Sequence, residues 1–167
     1  MSSRGSAFAV FVLLVLAVVA IDQVSKALAL LYLDPHRPYP LTGFLNLTLV
    51  YNRGAAFGFL NQQTGWQIVL FAGIAVAVVG YVAHHIFHEA WQSRLTVVAY
   101  ALIGGGAVGN LIDRLRFGYV VDFVDFYLGG WHFWVFNMAD SALTIGVAVL
   151  LLAAWVEYRR HRRGAAP

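Results

Sequence analysis

Long apolar stretches alternate with shorter polar connections along the chain, and four of these stretches are long enough to cross a membrane. They are residues 7–33, 66–86, 95–115 and 137–157. Each approaches or exceeds the ~20 residues that a membrane-spanning helix needs. The pattern therefore predicts an all-α membrane protein with four transmembrane helices, in a single domain that covers residues 1–167.

A small β-sheet is predicted in the connection between the first and second helices, residues 34–65. Prolines end the first helix, and from Phe44 to Tyr51 apolar and polar residues alternate as in a half-buried strand. Asn52-Arg53-Gly54 then indicates a turn. The residues expected to point from this connection toward lipid are Phe57, Phe59 and Leu60. We interpret the segment as a sheet on the outer membrane surface.

The connection between the third and fourth helices, residues 115–135, is rich in aromatic side chains. They include Tyr119, Phe123, Phe126, Tyr127, Trp131, Phe133 and Trp134. Tyrosine and tryptophan are enriched where a membrane meets water. This segment is therefore interpreted as a loop at the membrane interface.

Composition excludes an ordinary soluble domain. Of the 167 residues, 60% are hydrophobic and 11% are charged, and the mean hydropathy is +0.71. A cleaved signal peptide is the alternative interpretation of the first apolar run, but that run is too long and lacks a convincing small-residue cleavage site. The absence of cysteine excludes disulfides, thiolate metal ligands and a cysteine nucleophile.

Basic residues predict the orientation in the membrane. Those that carry this prediction are Arg4, Arg94, Arg159, Arg160, Arg162 and Arg163. Because positive charges concentrate on the cytoplasmic side, both termini are predicted to be cytoplasmic and the connections 34–65 and 115–135 periplasmic. The net charge of +3 indicates attraction to anionic membrane lipids. The basic tail is too short and too close to a helix to indicate binding of nucleic acid.

Acidic residues lie where the later apolar stretches end or begin. Asp113 and Asp122 follow the third stretch, and Asp140 opens the fourth. A carboxylate at the edge of a membrane span is costly and is by default a functional candidate. Asp122 and Asp140 have apolar neighbours and no basic neighbour in the sequence, so they could share a proton and act as general acid and base. For Asp140 the alternative is an N-terminal cap, since the helix dipole favours negative charge there.

The other aspartates have simpler explanations. Asp113 is followed by Arg114, so a structural ion pair or a helix-end charge competes with a catalytic role. Asp22 has Lys26 four residues later on the same helix face, which favours mutual neutralisation. The aspartates that lie in polar connections and are expected to be solvated are Asp34 and Asp125.

Serine chemistry is less well supported than aspartate chemistry. Ser25 points about 100° around the helix from Lys26, the only lysine, so the two cannot form a catalytic dyad. Ser141 remains as an alternative nucleophile, although it lies beside a carboxylate and has no base in view. The sequence therefore favours aspartate chemistry over serine chemistry.

Histidine and glycine motifs also have structural explanations. His84 and His88 have metal-compatible spacing, with Glu89 adjacent, but they lack the order of a zinc protease motif. We interpret them as interfacial residues and predict no metal site. The run Gly104-Gly105-Gly106, with Gly109, lies inside an apolar span and indicates close helix packing and not a nucleotide loop.

Five sequence blocks, in their order and spacing, resemble those of one enzyme family. They are Asp22-Gln23-Val24-Ser25-Lys26, Tyr51-Asn52-Arg53-Gly54-Ala55-Ala56-Phe57, Gly109-Asn110-Leu111-Ile112-Asp113-Arg114, Val120-Val121-Asp122-Phe123 and Phe136-Asn137-Met138-Ala139-Asp140-Ser141. With the four-span plan, which covers nearly the whole chain, they look like bacterial lipoprotein signal peptidase, the signal peptidase II family. One position departs from the pattern: Arg53 stands where many relatives carry a small polar residue such as threonine, which affects the rim of the site and not its chemistry.

The resemblance implies a multi-pass aspartic endopeptidase of the bacterial inner membrane, with its active site toward the periplasm. Such an enzyme removes the signal peptide from diacylglyceryl-modified prolipoproteins by cutting just before the lipidated cysteine. Lipid-modified prolipoproteins and membrane lipids are therefore the expected partners. Neither a cofactor, a metal nor an obligate protein partner is expected.

By the same resemblance, the catalytic pair corresponds to Asp122 and Asp140. The positions expected to hold the substrate or to orient the pair are Asn52, Gly54, Asn110, Arg114 and Asn137. Asp22 and Lys26 match a further motif of the family and, together with Asp113, are expected to have a supporting structural role.

A different class of protein could use the same carboxylates: a small proton-coupled transporter or channel subunit in which they form a relay. A relay needs protonatable groups at several depths, whereas residues 66–83 and 141–156 contain no acidic, basic or histidine side chain. A structural membrane scaffold would leave the paired aspartates unexplained. The sequence therefore favours the protease.

Overall fold

Four long helices form the body of the part of the chain that the structure describes. The computed structural model describes residues 3–35, 37–54, 66–88 and 93–164. The helices are α1 (Ser3–Tyr32), α2 (Trp66–His88), α3 (Arg94–Phe117) and α4 (Met138–Gly164). Each contains a segment that is long and apolar enough to cross a membrane. The predicted architecture of four membrane helices is confirmed.

The outward faces of the helices are apolar. Leu13 of α1, Val69 of α2 and Leu151 of α4 expose 66%, 74% and 67% of their surface. Extensive apolar surface on a water-soluble protein would mark an interaction site. On helices of this length it matches the hydrocarbon of a bilayer.

An antiparallel sheet of four strands, in the order β1-β2-β3-β4, lies at one end of the bundle. The strands are β1 (Tyr39–Pro40), β2 (Leu45–Asn52), β3 (Val120–Leu128) and β4 (Trp131–Phe136). β2 confirms the strand predicted from Phe44 to Tyr51. The backbone N–H of Gly54 donates to the side-chain oxygen of Asn52 at 2.9 Å, which forms the turn predicted there. The predicted lipid-facing residues 57, 59 and 60 lie outside the described part of the chain.

Residues 115–135 are not the loop that their aromatic content predicted. α3 continues to Phe117 and ends at Gly118, which has a left-handed conformation with φ of 73°. The chain then forms the β3–β4 hairpin, which turns at Gly129 and Gly130. Residues 120–125 are all buried, so this strand lacks the alternation of polarity by which β2 could be recognised. The sheet therefore contains strands from both connections.

Pairing between β2 and β3 joins the two connections into one layer. Val50 lies opposite Asp122 in this register. Leu49 of β2 and Val121 of β3 pack with Ala29 near the end of α1 in a buried apolar cluster. This packing fixes β3 on the bundle and holds Asp122 close to the ends of the helices.

Glycines let α3 pack closely at the centre of the bundle. A Cβ atom on Gly105 would lie 2.8 Å from the side chain of Val18 in α1, and one on Gly106 would lie 2.5 Å from the backbone oxygen of Ala139 in α4. The close packing predicted for the glycine run is confirmed. It brings the start of α4 against α3, where polar residues of both helices meet.

Candidate active site

A cavity of about 340 Å³ lies where β3 meets the end of α3 and the start of α4. The predicted site residues that line it are Asn52, Gly54, Asn110, Arg114, Asp122 and Asp140. Asn137 is fully buried and contacts both aspartates from behind the cavity. The fold thus brings together side chains from several elements that are far apart in the sequence.

Asp122 projects from β3 and is only 2% exposed. The side-chain amide of Asn52 donates to its Oδ2 at 2.9 Å. The side-chain amide of Asn137 donates to its Oδ1 at 2.6 Å. Asp122 is therefore a buried carboxyl group held by two neutral amides.

Asp140 lies in the first turn of α4 and is held in a similar way. Its Oδ1 accepts a hydrogen bond from the side-chain amide of Asn110 at 2.8 Å, and its Oδ2 accepts one from the backbone N–H of Asn137 at 3.3 Å. The backbone N–H of Asp140 donates in return to Oδ1 of Asn137 at 2.9 Å. This reciprocal arrangement caps the helix. The cap considered as an alternative for Asp140 is thus present, and the same carboxyl group also faces the cavity.

Asn137 links the two aspartates. Its Oδ1 accepts from the backbone of Asp140, so its amide nitrogen must face Asp122. Because Asn137 immediately precedes α4 and is completely buried, it fixes the position of Asp122 relative to the helix that carries Asp140.

The surroundings of Asp122 raise the pKa of its carboxyl group. Its pKa is raised from the ordinary 3.8 to about 7, first because burial removes the carboxyl from water and second because Asp140 is close. Hydrogen bonds from Asn52 and Asn137 and the positive charge of Lys26 oppose this rise. Two carboxyl groups that interact in this way titrate as a pair. Near neutral pH the pair can therefore hold one proton, which is the state that general acid–base catalysis needs.

A second set of buried charged side chains lies behind the site. It consists of Asp22, Lys26 and Asp113, and we call it the lysine cluster. Nζ of Lys26 lies 2.9 Å from a carboxylate oxygen of each aspartate, and the three side chains are at most 3% exposed. The ion pair expected between Asp22 and Lys26 is confirmed. The structural ion pair considered as an alternative for Asp113 is present, but its partner is Lys26 and not Arg114. Neighbouring residues on a helix point about 100° apart, so Asp113 faces the bundle while Arg114 faces the cavity.

Asn110 joins the lysine cluster to the aspartate pair. Its Oδ1 accepts a hydrogen bond from Nζ of Lys26 at 3.0 Å, and its Nδ2 donates to Asp140 at 2.8 Å. Since an amide oxygen only accepts and an amide nitrogen only donates, the lysine determines which way this amide is turned.

The lysine cluster also holds the backbone on both sides of the site. Asp22 accepts from the backbone N–H of Ala139 at 2.9 Å, and Asp113 accepts from the backbone N–H of Val121 at 3.0 Å. Ala139 and Val121 each come immediately before one member of the aspartate pair. A shift of the cluster would therefore move both carboxyl groups.

Arg114 places a positive charge on the wall of the cavity. Its guanidinium carbon lies 5.5 Å from the centre of the ring of Phe71 in α2, and its Nη1 donates to the backbone oxygen of Asn110 at 3.3 Å. The aromatic face stabilises the cation and restricts its position. From there the guanidinium can donate to a peptide carbonyl in the cavity.

Some residues of the site were not predicted. Nε2 of Gln23 donates to Oδ1 of Asp113 at 2.9 Å and to the backbone oxygen of Gly109 at 3.2 Å, and an amide inside an apolar span was a signal that could have identified it. Trp134 and Leu143 line the cavity. Nothing in the sequence separates them from other interfacial or helix-packing residues.

Asp125 is not solvated as predicted. It is 3% exposed, its Oδ2 accepts from the side-chain amide of Asn46 at 3.1 Å, and Nδ1 of His132 lies 2.9 Å from both carboxylate oxygens. These partners come from the strands on either side, which the loop interpretation did not include. Asp34 is 65% exposed and accepts from the hydroxyl of Tyr39 at 2.8 Å, so the prediction for Asp34 is confirmed.

The serine hydroxyls bind backbone oxygens. Oγ of Ser25 donates to the backbone of Asp22 at 2.8 Å, and Oγ of Ser141 donates to the backbone of Asn137 at 3.0 Å. Neither of these hydrogen bonds joins a hydroxyl to a base. The side chain of residue 88 and residue 89, which belonged to the histidine motif, lie outside the described part of the chain.

Comparison with known proteins identifies relatives over nearly the full length. Residues 14–156 match the family described as signal peptidase (SPase) II. The lipoprotein signal peptidase of Burkholderia vietnamiensis is 49% identical over 147 residues, which are 88% of this chain and 86% of that protein. The lipoprotein signal peptidase of Azoarcus sp. strain BH72 is 42% identical over 159 residues, which are 94% of this chain and 88% of that protein.

Solved structures share the fold. A bacterial membrane enzyme determined by the in meso method at 2.3 Å resolution superposes with a TM-score of 0.79, at 33% identity and over 90% of both chains. A second such structure, at 1.9 Å, gives a TM-score of 0.77 at 32% identity, over 87% of this chain and 92% of that chain. These similarities confirm the resemblance predicted from the five sequence blocks. The chain is a multi-pass bacterial membrane protein and belongs to the signal peptidase II family of proteases.

Proposed function

We propose that this protein removes the signal peptide from diacylglyceryl-modified prolipoproteins, and that Asp122 and Asp140 are its catalytic pair. The observation that carries the assignment is their arrangement. Two carboxyl groups face one cavity, each is held by neutral amides, and one amide, that of Asn137, ties them together. The names of the relatives support the substrate class.

The two carboxyl groups divide the acid and base roles. Asp140 lies in the first turn of α4, where the helix dipole favours a negative charge, so the shared proton resides on Asp122. Asp140 takes a proton from a water molecule whose oxygen attacks the scissile carbonyl carbon, and Asp122 donates its proton to the carbonyl oxygen. The C–N bond then breaks, the leaving amine receives the proton from Asp140, and Asp122 recovers a proton from the diol. Every proton is accounted for without a covalent intermediate.

The rest of the cavity holds the peptide. The guanidinium of Arg114 and the amide of Asn52 lie on its wall beside the carboxyl groups, where they can bind backbone carbonyls of the substrate and keep the scissile bond in register. Gly54 follows the turn closed by Asn52 and leaves space at the rim. The supporting role of Asp22, Lys26 and Asp113 is to fix the backbone on which the pair is carried.

The sheet and the cavity face the periplasm in this proposal. Both connections that form the sheet leave the same end of the bundle, and the exposed arginines at the start of α3 and the end of α4 lie at the other end. Positive charges concentrate on the cytoplasmic side. Water then reaches the carboxyl groups from outside while the acyl chains of the substrate extend toward lipid.

The function is tested by a cleavage assay with the purified protein. The substrate is a synthetic prolipoprotein peptide with a diacylglyceryl cysteine, and the control is the same peptide with unmodified cysteine. We expect cleavage before the lipidated cysteine, little or no cleavage of the control, and no inhibition by chelators. Equal turnover of the two peptides would contradict lipid recognition, and inhibition by a chelator would contradict the metal-free mechanism.

The orientation is tested by labelling single cysteines with a membrane-impermeant thiol reagent, since the natural chain contains no cysteine. Gly43→Cys places a thiol at an open position between β1 and β2, and Trp131→Cys places one on β4 at a side chain that is 75% exposed. Tyr158→Cys places one at the opposite end. We expect the first two to react in intact spheroplasts and the third only after lysis. The reverse pattern would invert the orientation.

A further inference from the structure

A second cavity, which Asn110 does not line, borders Asp140, and we call it the β4–α4 cavity. Its volume is about 310 Å³, and its walls are Trp134, Phe136, Asp140, Ser141, Thr144 and Ile145. Trp134, Asp140 and Thr144 also line the cavity that contains the aspartate pair. The two cavities therefore adjoin at a catalytic carboxyl group, and a substrate held at that group can extend into both.

Apart from Asp140, the β4–α4 cavity offers mainly apolar surface. Oγ of Ser141 donates to the backbone oxygen of Asn137 at 3.0 Å, and Oγ1 of Thr144 donates to the backbone oxygen of Asp140 at 2.9 Å. Because these hydroxyls bind their own helix, an indole, a phenyl ring and a branched alkyl group dominate the remaining wall. Such a surface stabilises an apolar ligand by removing it from water.

The far end of this cavity opens onto the lipid-facing side of the bundle. Ile145 comes five residues after Asp140, which places it about 7.5 Å farther along the helix axis. Its side chain is 54% exposed, and the helix is long and apolar enough to span a membrane. The cavity therefore leads from the aspartate pair toward hydrocarbon.

The position of the cavity indicates which part of a substrate can occupy it. The cavity adjoins the aspartate pair at Asp140 and reaches Ile145 on the lipid-facing side of α4. An extended alkyl chain that runs from the reacting centre into the bilayer follows this path.

We propose that the β4–α4 cavity binds the glyceryl group and the first part of an acyl chain of the substrate, and that Ile145 is a specificity-determining residue. The inference rests on the proposed function, in which the lipidated cysteine directly follows the scissile bond. Its thioether must then begin within a few bonds of Asp140, at the junction of the two cavities. Binding of the chain would hold the scissile bond in register, since binding energy from a remote group can be used to position the reacting one.

The test compares two synthetic prolipoprotein peptides that differ only in acyl length, with dipalmitoylglyceryl or dibutyrylglyceryl on the cysteine. The measured quantity is the ratio of their kcat/KM values in one detergent. We expect the parent enzyme to favour the long chain by about tenfold or more, since burial of about two additional methylenes is enough for that ratio. Ile145→Trp, which fills the far end of the cavity, should reduce the preference at least about fivefold, mainly through a lower kcat/KM for the long chain.

A matched control is Val147→Trp, which adds a tryptophan to the same helix at a position that is 48% exposed and outside the cavity wall. It should keep the preference of the parent. Ile145→Phe provides a smaller change if the tryptophan variant unfolds, and it should reduce the preference in the same direction.

The outcomes separate this inference from the proposed function. Equal losses on both peptides in Ile145→Trp, or no loss on either, would overturn acyl binding in the β4–α4 cavity; equal losses are the result expected if signal-peptide side chains occupy it. A parent enzyme that cleaves both peptides equally well would overturn the inference and leave the protease function standing. Failure of the parent to cleave either peptide would instead contradict the proposed function.

Discussion

Two groups of buried aspartates lie side by side in this molecule, and Asn110 bonds to both. In the lysine cluster, Asp22 and Asp113 share the positive charge of Lys26 at 2.9 Å each. In the aspartate pair, Asp122 and Asp140 are held by side-chain amides and a backbone N–H. Both groups are removed from water, so burial alone does not distinguish them.

The difference lies in what compensates the charge. A buried charge that is paired and hydrogen-bonded is stable as a structural element, whereas two carboxyl groups without a cation between them favour a shared proton. The lysine cluster therefore suits support of the backbone, and the aspartate pair suits proton transfer. The contrast teaches that the partner of a buried acid indicates its role better than its depth does.

Removing either member of the aspartate pair should have the largest effect. Asp122→Asn and Asp140→Asn each keep the shape of the side chain and remove one proton-transfer group, so we expect kcat to fall by about 10²- to 10⁴-fold or more. At pH 5, where Asp122 of the parent is protonated and uncharged, both variants should unfold at nearly the temperature of the parent. Asp34→Asn, at a carboxylate that is 65% exposed, is the matched control and should cleave normally. Near-normal turnover by either pair variant would remove that residue from the mechanism.

Breaking the lysine cluster should act on stability first. Lys26→Met leaves Asp22 and Asp113 close together without their counterion, and loss of one partner of a buried pair typically costs about 3–5 kcal/mol. We expect a correspondingly lower thermal unfolding temperature in detergent. Activity should fall with it, because the backbone before each member of the aspartate pair is held by this cluster.

The double variant Lys26→Met with Asp113→Asn provides the control for charge. It removes one negative charge along with the positive one, so it should recover part of the lost stability. If the single variant unfolds at the temperature of the parent, the cluster has no structural role and the comparison fails.

Local sequence pattern was sufficient for the helices and for β2. Apolar runs near the length of a membrane span indicated the helices, and alternation indicated the strand. The β3–β4 hairpin was missed because its first residues are buried on both faces and do not alternate. Without the hairpin, Asp125 could not be placed beside Asn46 and His132, which reach it from neighbouring strands.

Local sequence patterns also predict ion pairs within one helix of the candidate site but not ion pairs between helices. Asp22 and Lys26 are four residues apart on one helix, so their contact follows from helix geometry alone. Asp113 binds the same lysine from another helix that is distant in the sequence. No local rule selects Lys26 over Arg114, the sequence neighbour of Asp113, as the partner. The sequence singles out the proposed catalytic pair by its apolar neighbours and by the family resemblance, but the distance between Asp122 and Asp140 is set by tertiary packing.

The raised pKa of Asp122 should also appear in the pH dependence of stability. A folded pKa of about 7 against an unfolded value near 3.8 means that the folded state binds this proton more tightly. The contribution of this proton to the free energy of unfolding is therefore full at acid pH and is lost as the pH rises through 7. Asp122→Asn lacks this titration, so its free energy of unfolding should rise relative to the parent by up to about 2–3 kcal/mol between pH 5 and pH 7. A parallel pair of stability curves, measured by thermal unfolding in detergent with Asp34→Asn as control, would contradict the shift.

The smallest effect, and the most specific, should come from the amide that donates to Asp122 from β2. Asn52 lowers the pKa of Asp122 by its hydrogen bond at 2.9 Å, so Asn52→Ala should raise that pKa further above 7. Deprotonation of Asp122 ends the one-proton state of the pair, and activity falls as the pH rises through this pKa. The alkaline limb of kcat/KM should therefore move upward by up to about one pH unit. Asn46→Ala is the matched control, because Asn46 lies on the same strand and donates in the same way to a buried aspartate, Asp125, at 3.1 Å. A lower rate with an unmoved limb in Asn52→Ala would show that Asn52 does not tune the pair and acts on the rate by another route, such as substrate binding. An equal movement in Asn46→Ala would show that the shift is not specific to the amide beside Asp122.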